Sequence, residues 1–188
     1  IELNTPGGQV TTMKSIIADI RSSNMPVIVY VSPRGAWAAS AGALITMSGH
    51  ASAMAPETSI GAASPVGGSG EDLGQTMKAK EMEALRAIAR TLTERRGEKA
   101  MQLAESMIEN AKAVTVQEAR DAGLIDFIAT DVDDLLKQLD GFKVETINGE
   151  HKLNTKNAQT QPLDLNFIEQ LLLLLTDPNI SFILLAIG

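Results

Sequence analysis

The sequence predicts an α/β domain with a mostly parallel sheet and crossover helices. Segments of strand length alternate with segments of helical periodicity up to about residue 140. This alternation is typical of parallel strands joined through helices. Residues 25–31 form a mainly β-branched run, the pattern of a strand buried on both faces. The chain has 188 residues, 44% of them hydrophobic, so it can bury a core, and this excludes an intrinsically disordered protein.

The first third of the chain alternates predicted strands with helices. The apolar residues Met13, Ile16, Ile17 and Ile20 recur at helical spacing. An Ala-rich stretch after Gly35 favours a second helix. The elements predicted here are a strand at residues 1–3, a helix at 9–22, a strand at 25–31, a helix at 36–48, a strand at 51–55 and a loop at 56–74.

Helices dominate the middle of the chain, and a hairpin follows them. The sequence from Thr115 to Glu118 is a capping box, which opens a short helix that Gly123 closes. Asn148-Gly149 between two alternating runs predicts a β-hairpin. The other elements predicted here are helices at residues 76–96, 98–112 and 132–139, with a strand at 124–129.

The chain divides into three predicted regions. We expect a globular domain at residues 1–140, a hairpin and polar linker at 141–162, and the start of a hydrophobic membrane region at 163–188. The runs 167–175 and 180–187 are strongly apolar, but neither reaches the roughly 18–20 residues of a spanning helix. The second run meets the chain end, so we interpret it as the first half of a span and the chain as truncated at both ends. Two helices that close a domain are the alternative.

Composition excludes several classes of function. A net charge of −7 argues against a nucleic-acid groove, and 3% aromatic residues are too few for a base-stacking surface. The absence of cysteine excludes a thiol nucleophile and a Cys-ligated zinc site. Only two histidines are present, so we expect no metal and no cofactor. Gly67-Gly68-Ser69-Gly70 lacks the Lys-Ser/Thr of a phosphate-binding loop, and we interpret it as a mobile active-site loop.

Ser40 is the first candidate for chemistry. It lies where a strand and a tight turn feed an Ala-rich helix, and the free N–H groups of a helix start can stabilise an oxyanion. The setting resembles a nucleophile elbow, with Ala38 at the usual first glycine. Gly7 and Gly8 follow a strand and can aim further N–H groups into a cleft. Tight helix packing and an ordinary glycine turn are the alternatives.

A serine nucleophile needs a base. His50 and His151 lack an evident third partner, and we expect both on the surface. Lys78 and Lys80 lie at the start of the long helix, where burial or the helix dipole can lower the pKa of an amine. Lys80 shares a small-residue face with Ala84, Ala87 and Thr91, which tight packing would desolvate, whereas Lys78 lies near the Met82/Leu85 stripe. Periodicity does not choose between them, and two solvated lysines are the alternative.

Five motifs follow one another in the first third of the chain: Asn4-Thr5-Pro6-Gly7-Gly8, Ser32-Pro33-Arg34-Gly35, Ala38-Ala39-Ser40-Ala41-Gly42, Met54-Ala55-Pro56 and Thr58-Ser59-Ile60-Gly61-Ala62. Together they resemble the NfeD family, membrane-bound serine proteases of the ClpP class found beside stomatin-like proteins. The resemblance implies a ClpP/crotonase-like fold and a Ser–Lys dyad of Ser40 and Lys80, with Arg90 as the later basic position of the family. It also implies the backbone N–H groups of Gly8 and Ala41 as oxyanion donors.

The chain departs from the family pattern at three positions. Asn4 replaces a usual Asp, Trp37 replaces a smaller residue and is expected to narrow the cleft, and Glu83 replaces a common Asn. A carboxylate at Glu83 would raise the pKa of the lysine if it lay close.

The resemblance further implies partners and a location. We expect a stomatin/prohibitin-like membrane protein as substrate or partner, cleaved in a hydrophobic segment. We also expect a homo-oligomer, a dimer or larger, attached to the membrane through its C-terminal region, with the protease domain on the non-cytoplasmic face and no nucleic acid bound.

Other functions remain open from the sequence. A crotonase-like acyl-CoA enzyme would share the fold but would place carboxylates in the cleft and leave Ser40 and Lys80 unexplained. A catalytically silent scaffold for stomatin-like proteins would tolerate loss of the pair. In a signal-peptide peptidase of the SppA type the lysine precedes the serine, unlike here.

Overall fold

A computed structural model describes residues 1–66, 74–163 and 166–176. The chain divides into two units, Ile1–Asn157 and Ala158–Gly188. The first unit contains all the strands and the first six helices described below, and the described part of the second contains one helix.

Nine strands, seven α-helices and one 3₁₀ helix, Glu94–Arg96, follow one another in the described residues. The strands are β1 (Glu2–Leu3), β2 (Ile28–Val31), β3 (Trp37–Ala39), β4 (Ala51–Met54), β5 (Ser59–Gly61), β6 (Ala113–Thr115), β7 (Phe127–Ile128), β8 (Lys143–Thr146) and β9 (Gly149–Lys152). The helices are α1 (Val10–Ser22), α2 (Ala41–Ser48), α3 (Gln75–Thr93), α4 (Glu98–Glu109), α5 (Val116–Asp121), α6 (Val132–Leu139) and α7 (Phe167–Thr176).

The predicted parallel sheet is confirmed. It has the strand order β1-β2-β4-β7, with every neighbouring pair parallel. A second sheet has the order β3-β5-β6, in which β3 and β5 are parallel and β6 is antiparallel. Strands β8 and β9 form the predicted hairpin.

The main sheet is covered on both faces, as its apolar strands require. One core joins the inner faces of α1 to α4 and includes Met13, Leu44 and Met107, each at most 2% exposed. The other core packs α6 and the hairpin against Tyr30 and Ala53. All eight residues of α2 are buried, so this helix runs through the interior and fixes whatever stands at its two ends.

Two predictions of local structure are wrong. Residues 36–48 do not form one helix, because Trp37–Ala39 pair with Ser59–Gly61 as strands and only then does α2 begin. This pairing is long-range, so the Ala content of the segment concealed it. The loop predicted at residues 56–74 accordingly contains β5.

Helices α5 and α6 each begin at a side-chain cap. The Thr115 hydroxyl accepts a hydrogen bond from the Glu118 N–H, and the Glu118 carboxylate accepts one from the Thr115 N–H, so the predicted capping box is formed. The Asp131 carboxylate caps α6 in the same way by accepting the N–H of Asp134.

The apolar tail is described only as far as α7. No helix within residues 1–66, 74–163 and 166–176 is long and apolar enough to cross a membrane. The predicted run at 180–187 and the predicted active-site loop at 67–70 lie outside the described residues.

Candidate active site

Ser40 lies in a strained turn between β3 and α2. Its backbone has φ 52° and ψ −119°, a combination that non-glycine residues rarely adopt and that costs about 1–3 kcal/mol. The turn is held because the Ser40 N–H donates to the Gly61 carbonyl oxygen at 2.9 Å. Gly61 has φ 133°, and a Cβ there would overlap the backbone of Lys112 and Ala113. Only glycine therefore fits the position that fixes the Ser40 turn.

A tight loop after β1 lies against Ser40. A Cβ added to Gly7 would lie 2.8 Å from the Ser40 Cβ and 3.3 Å from its hydroxyl oxygen, and Gly7 has φ 127°. The Gly7 N–H donates to the Thr5 hydroxyl at 3.1 Å, and this hydroxyl donates back to the Gly7 carbonyl. Thr5 in turn pairs with β3, since the Ala39 N–H donates to its carbonyl at 3.1 Å. The loop is thus held beside the serine by both backbone and side-chain hydrogen bonds.

The glycine two residues after Ser40 also has a packing reason. A Cβ on Gly42 would lie 2.6 Å from the Thr5 methyl carbon. Gly42 therefore lets the loop after β1 approach the first turn of α2. This contact explains the glycine of the Ser-Ala-Gly motif.

Two backbone amides beside Ser40 have no partner. The N–H groups of Gly8 and Ala41 donate no hydrogen bond within the part of the chain that the structure describes. Ala41 is the first residue of α2, where amides are free and the helix dipole is positive. Both residues line the same hollow as Ser40. This arrangement can bind a negatively charged oxygen.

The hollow beside Ser40 is small and apolar. Its volume is about 50 Å³. The described residues that line it are Gly8, Val10, Met13, Ser40, Ala41, Leu44, Ala63, Ser64, Pro65, Val66 and Leu85. None of these carries a carboxylate, and their apolar side chains suit an apolar group.

The structure does not bring Lys80 to the hollow. Lys80 is exposed on the first turns of α3, next to Gly74 and Met77. Leu85, which does line the hollow, follows Lys80 by five residues, so the two side chains point about 140° apart around the helix. Lys78 is exposed as well but precedes Leu85 by seven residues, which places it on nearly the same face.

The face of α3 that carries Lys80 is not tightly packed, although its small residues allowed that expectation. Ala84, Ala87 and Thr91 are all exposed, so this face of α3 is not covered within the described chain. The buried stripe of α3 is Leu85, Ala89, Leu92 and Thr93. Small side chains on one face did not imply burial because the apolar stripe lies on the other.

His50 is buried, contrary to the expectation of a surface histidine. Its side chain is 3% exposed, and its Nδ1 accepts the Val27 N–H at 3.0 Å. Burial, followed by the charges of Arg21 and Arg95, lowers the pKa of His50. It follows the last turn of α2, whereas Ser40 precedes the first, so His50 is not the base for Ser40. His151, in β9, is half-buried rather than on the surface.

Two of the departures from the family pattern have structural partners. The Asn4 side-chain oxygen accepts the Trp37 N–H at 3.2 Å, so Asn4 fixes the start of β3. Trp37 is 50% exposed and borders a shallow groove along β3 and β5.

The third departure, Glu83, binds arginines rather than Lys80. Its carboxylate lies 3.0 Å from Arg90 and 3.4 Å from Arg86. The Arg90 hydrogen bond lowers the pKa of Glu83. Arg90 also pairs with Glu105 at 2.7 Å, so the basic position joins α3 to α4. The expected effect of Glu83 on the lysine therefore has no contact to support it.

No cluster of His, Asp and Glu that could hold a metal ion is present in residues 1–66, 74–163 and 166–176.

The family described as NfeD1b, N-terminal domain, matches residues 1–148. The membrane-bound protease PH1510 of Pyrococcus horikoshii is 38% identical over 192 residues, covering 100% of this chain and 43% of the relative. The chain therefore spans less than half of the length of that relative.

Solved structures show the same fold. A lysine-to-alanine variant of a membrane-bound stomatin-specific protease, 1510-N, in complex with a substrate peptide has a TM-score of 0.81 and 34% identity, covering 92% of this chain and 80% of that one. A serine-to-alanine variant of 1510-N has a TM-score of 0.79 and 36% identity, covering 88% and 81%. ClpP1 from Listeria monocytogenes, with a TM-score of 0.55 and 21% identity over 72% of this chain and 75% of that one, is similar in fold alone. The predicted ClpP-like fold is thus confirmed.

Proposed function

The chain belongs to the NfeD1b family, and from that premise we propose that it is a membrane-associated serine endopeptidase with Ser40 as nucleophile. One observation carries this proposal: Ser40 lies in a strained turn beside two unpartnered amides, those of Gly8 and Ala41, at an apolar hollow. A serine in this setting is exposed to a substrate carbonyl, whose oxygen would find two donors.

The proposed base is Lys80. Neutral Lys80 takes the proton from the Ser40 hydroxyl as the serine oxygen attacks the peptide carbonyl carbon. The resulting oxyanion accepts hydrogen bonds from the Gly8 and Ala41 amides. The protonated lysine then gives its proton to the leaving amine, and water, deprotonated by the same lysine, releases the acyl group from Ser40. Each such oxyanion donor is typically worth about 10²–10³ in rate.

The mechanism requires Lys80 to approach Ser40 when substrate binds. Catalytic hydrogen bonds are often long in free enzymes and tighten only in the substrate complex. The approach would involve the first turns of α3, since Lys80 follows the start of this helix by five residues. A lysine-to-alanine and a serine-to-alanine variant are the forms in which two of the similar structures were solved, and this supports the choice of these two residue types.

We propose hydrophobic segments of stomatin-like or prohibitin-like membrane proteins as substrates. A similar protease is described as specific for a stomatin homologue. The hollow beside Ser40 supports an apolar residue next to the cleaved bond, because Met13, Leu44 and Leu85 line it. We further propose a homo-oligomer that is held at the membrane by residues 163–188, with residues 1–140 on the non-cytoplasmic face.

The acyl-CoA alternative has less support. It would need carboxylates near the oxyanion donors, and the described residues lining the hollow include none. The catalytically silent scaffold and the peptidase share the same fold and the same expected partner. An experiment is therefore needed to distinguish these two functions.

The deciding experiment combines active-site labelling with cleavage. The full-length protein and its Ser40→Ala, Lys80→Ala and Lys78→Ala variants are treated with a fluorophosphonate or with a Leu-rich peptide and followed by mass spectrometry. Ser15→Ala, an exposed serine on α1, is the matched control. We expect the label on Ser40, cleavage by the wild type and by Ser15→Ala and Lys78→Ala, and loss of cleavage in the other two.

Each other outcome changes the proposal in a defined way. Cleavage that survives Lys80→Ala and is lost in Lys78→Ala would move the base to Lys78. A folded wild type that neither takes the label nor cleaves several hydrophobic peptides would favour the scaffold.

A further inference from the structure

A second, larger cavity lies at the other end of α2 from Ser40. Its volume is about 560 Å³. His50, which lines it, follows α2 and immediately precedes β4, so the cavity opens at the edge of the main sheet where the parallel strands begin. Helix α2 has eight residues and is therefore about 12 Å long, which separates this cavity from the Ser40 hollow. The two sites share no lining residue.

His50 presents an unused hydrogen-bond donor in this cavity. Its Nδ1 accepts the Val27 N–H, so in the neutral ring the hydrogen is on Nε2. Burial, Arg21 and Arg95 lower the pKa of His50, which favours this neutral ring. The residue is 3% exposed, and its Nε2 has no hydrogen-bond partner among the residues that the structure describes. A buried donor without an acceptor destabilises the folded protein, and an acceptor from a ligand would remove this cost.

Arg96 presents a second unused donor. Its side chain is 4% exposed, and its two terminal nitrogens lie 3.0 Å from the two carboxylate oxygens of Asp126. One of these nitrogens also donates to the Ser52 hydroxyl at 3.0 Å. The Nε of Arg96 is buried and has no partner in the described chain. Arg96 is thus fixed in place while one of its donors stays unused.

The wall of the cavity adds free positive charge. Arg95 is anchored because one of its terminal nitrogens donates to the carbonyls of Gly49 and His50, at 2.7 and 3.1 Å. Burial, followed by the charges of Arg96 and Arg21, lowers the pKa of Arg95, and the carboxylates of Asp126 and Glu145 only partly oppose this. Arg120 also lines the cavity, and its side chain forms no hydrogen bond or ion pair in the described chain.

The charges in the lining do not cancel. Asp126 is paired with Arg96, and Glu150 is paired with Lys143 at 2.8 Å. The remaining charged residues of the lining are Arg95, Arg120 and Glu145, which leaves one positive charge in excess. The unused polar atoms noted above are all donors. A ligand that satisfies them must therefore supply acceptors and negative charge.

We infer that this cavity binds a small oxyanion, a molecule with a phosphate or carboxylate group that accepts from His50 Nε2 and pairs with Arg95 and Arg120. An arginine can hold such a group through two parallel hydrogen bonds, and Arg120 is the one with every donor available. The site is independent of the proposed peptidase chemistry, because it uses none of the residues at Ser40.

Titration with inorganic phosphate tests this inference. The full-length protein, labelled with ¹⁵N at histidine, is titrated at constant ionic strength while the His50 side-chain nitrogens are followed by NMR. The matched variants are Arg120→Gln, in the wall, and Arg34→Gln, an exposed arginine between β2 and β3 that removes the same charge elsewhere. We expect a saturable shift of the His50 Nε2 signal, at least about tenfold weaker phosphate binding in Arg120→Gln, and unchanged binding in Arg34→Gln.

Acetate, titrated in the same way, tests whether the cavity binds a carboxylate group. Saturable binding of either phosphate or acetate supports the proposed site. The inference is overturned if neither anion produces a saturable shift at His50. It is equally overturned if Arg120→Gln and Arg34→Gln weaken binding to the same extent, because the effect would then be one of net charge alone.

Discussion

The two ends of α2 offer a ligand different kinds of donor. At the Ser40 end the donors are backbone amides, and close contacts at Gly7, Gly42 and Gly61 fix the path of the main chain that carries them. At the His50 end the donors belong to the side chains of a histidine and several arginines. Both ends are rigid for the same reason, since every residue of the helix between them is buried.

This difference determines how each end responds to substitution. A site made from backbone keeps its donors in any variant other than a proline substitution, and otherwise it is disturbed only when a new side chain displaces the main chain. A site made from charged side chains loses its donors directly and also leaves their partners unpaired. Four substitutions test the comparison.

Arg96→Met should have the largest effect, on stability. It removes the bidentate partner of Asp126, whose side chain is 23% exposed, together with the hydrogen bond to Ser52. Leaving a largely buried carboxylate unpaired is expected to lower the free energy of unfolding by about 3 kcal/mol. Urea unfolding measures this directly.

A matched pair on the same cavity wall is the control. Lys143 and Glu150 are both more than 60% exposed, so Lys143→Met should cost less than about 1 kcal/mol. Equal losses from the two substitutions would show that burial does not distinguish the pairs.

Gly7→Ala tests the backbone end, and its effect should fall on activity. The new Cβ would lie 2.8 Å from the Ser40 Cβ, so the loop or the serine must move by about 1 Å to reach ordinary contact. A displacement of that size at a nucleophile can lower kcat/KM about 100-fold. Peptide cleavage rates, measured with the full-length protein, give the number.

Gly35→Ala distinguishes an effect of steric overlap from an effect of backbone strain, because only the strain applies at position 35. Gly35 has φ 80°, but a Cβ there would meet no atom within 4 Å. Its cost should therefore appear in stability and not in kcat/KM. A comparable loss of activity in Gly35→Ala would contradict the overlap explanation.

The Ser40 end was readable from the sequence because its parts are short local motifs. Gly7-Gly8 follows a strand and Ser40-Ala41-Gly42 opens a helix, so glycine and serine at these places already indicate exposed amides. The long-range contacts that hold this end in place could not be predicted from the sequence. The pairing of Trp37–Ala39 with Ser59–Gly61, and with it the role of Gly61 in fixing Ser40, depends on contacts between segments about 20 residues apart.

The His50 end could not be predicted for a related reason. Its donors come from positions 50, 95, 96 and 120, which only the tertiary fold brings together. A lone histidine between glycine and alanine carries no periodic signal, and the surface is the common place for it. The position of Lys80 shows the same limit, since helical spacing places side chains around an axis but does not say which face is covered.

Gly42→Ala should have a smaller effect, again through the backbone end. The new methyl would lie 2.6 Å from the Thr5 methyl, and overpacking of this kind costs about 1–3 kcal/mol. The higher helix propensity of alanine offsets up to about 1 kcal/mol of this cost. With the full gain from helix propensity, the net loss in the free energy of unfolding should be about 0–2 kcal/mol.

Thr5→Ser provides the matched background for this substitution. Serine keeps the hydroxyl that bonds to Gly7 and removes the methyl, and the other neighbours of the new Cβ are at ordinary distances of 3.6 and 3.9 Å. In that background Gly42→Ala should be neutral or slightly stabilising. An unchanged loss in both backgrounds would mean that the Thr5 methyl is not the obstacle.

The smallest effect concerns the protonation of His50. Its folded pKa is lowered from the usual 6.5, mainly by burial and then by the charges of Arg21 and Arg95. The unfolded chain therefore binds this proton more readily than the folded chain. The resulting stability is present in full above pH 6.5 and decreases as the pH falls toward the folded pKa, by at most about 1.4 kcal/mol per pH unit.

Urea unfolding at pH 7.5 and 5.5 measures this pH dependence. Between these pH values His50→Asn, whose amide oxygen can replace Nδ1, should lose less free energy of unfolding than the wild type. Equal losses would mean that His50 becomes protonated as easily in the folded protein as in the unfolded chain.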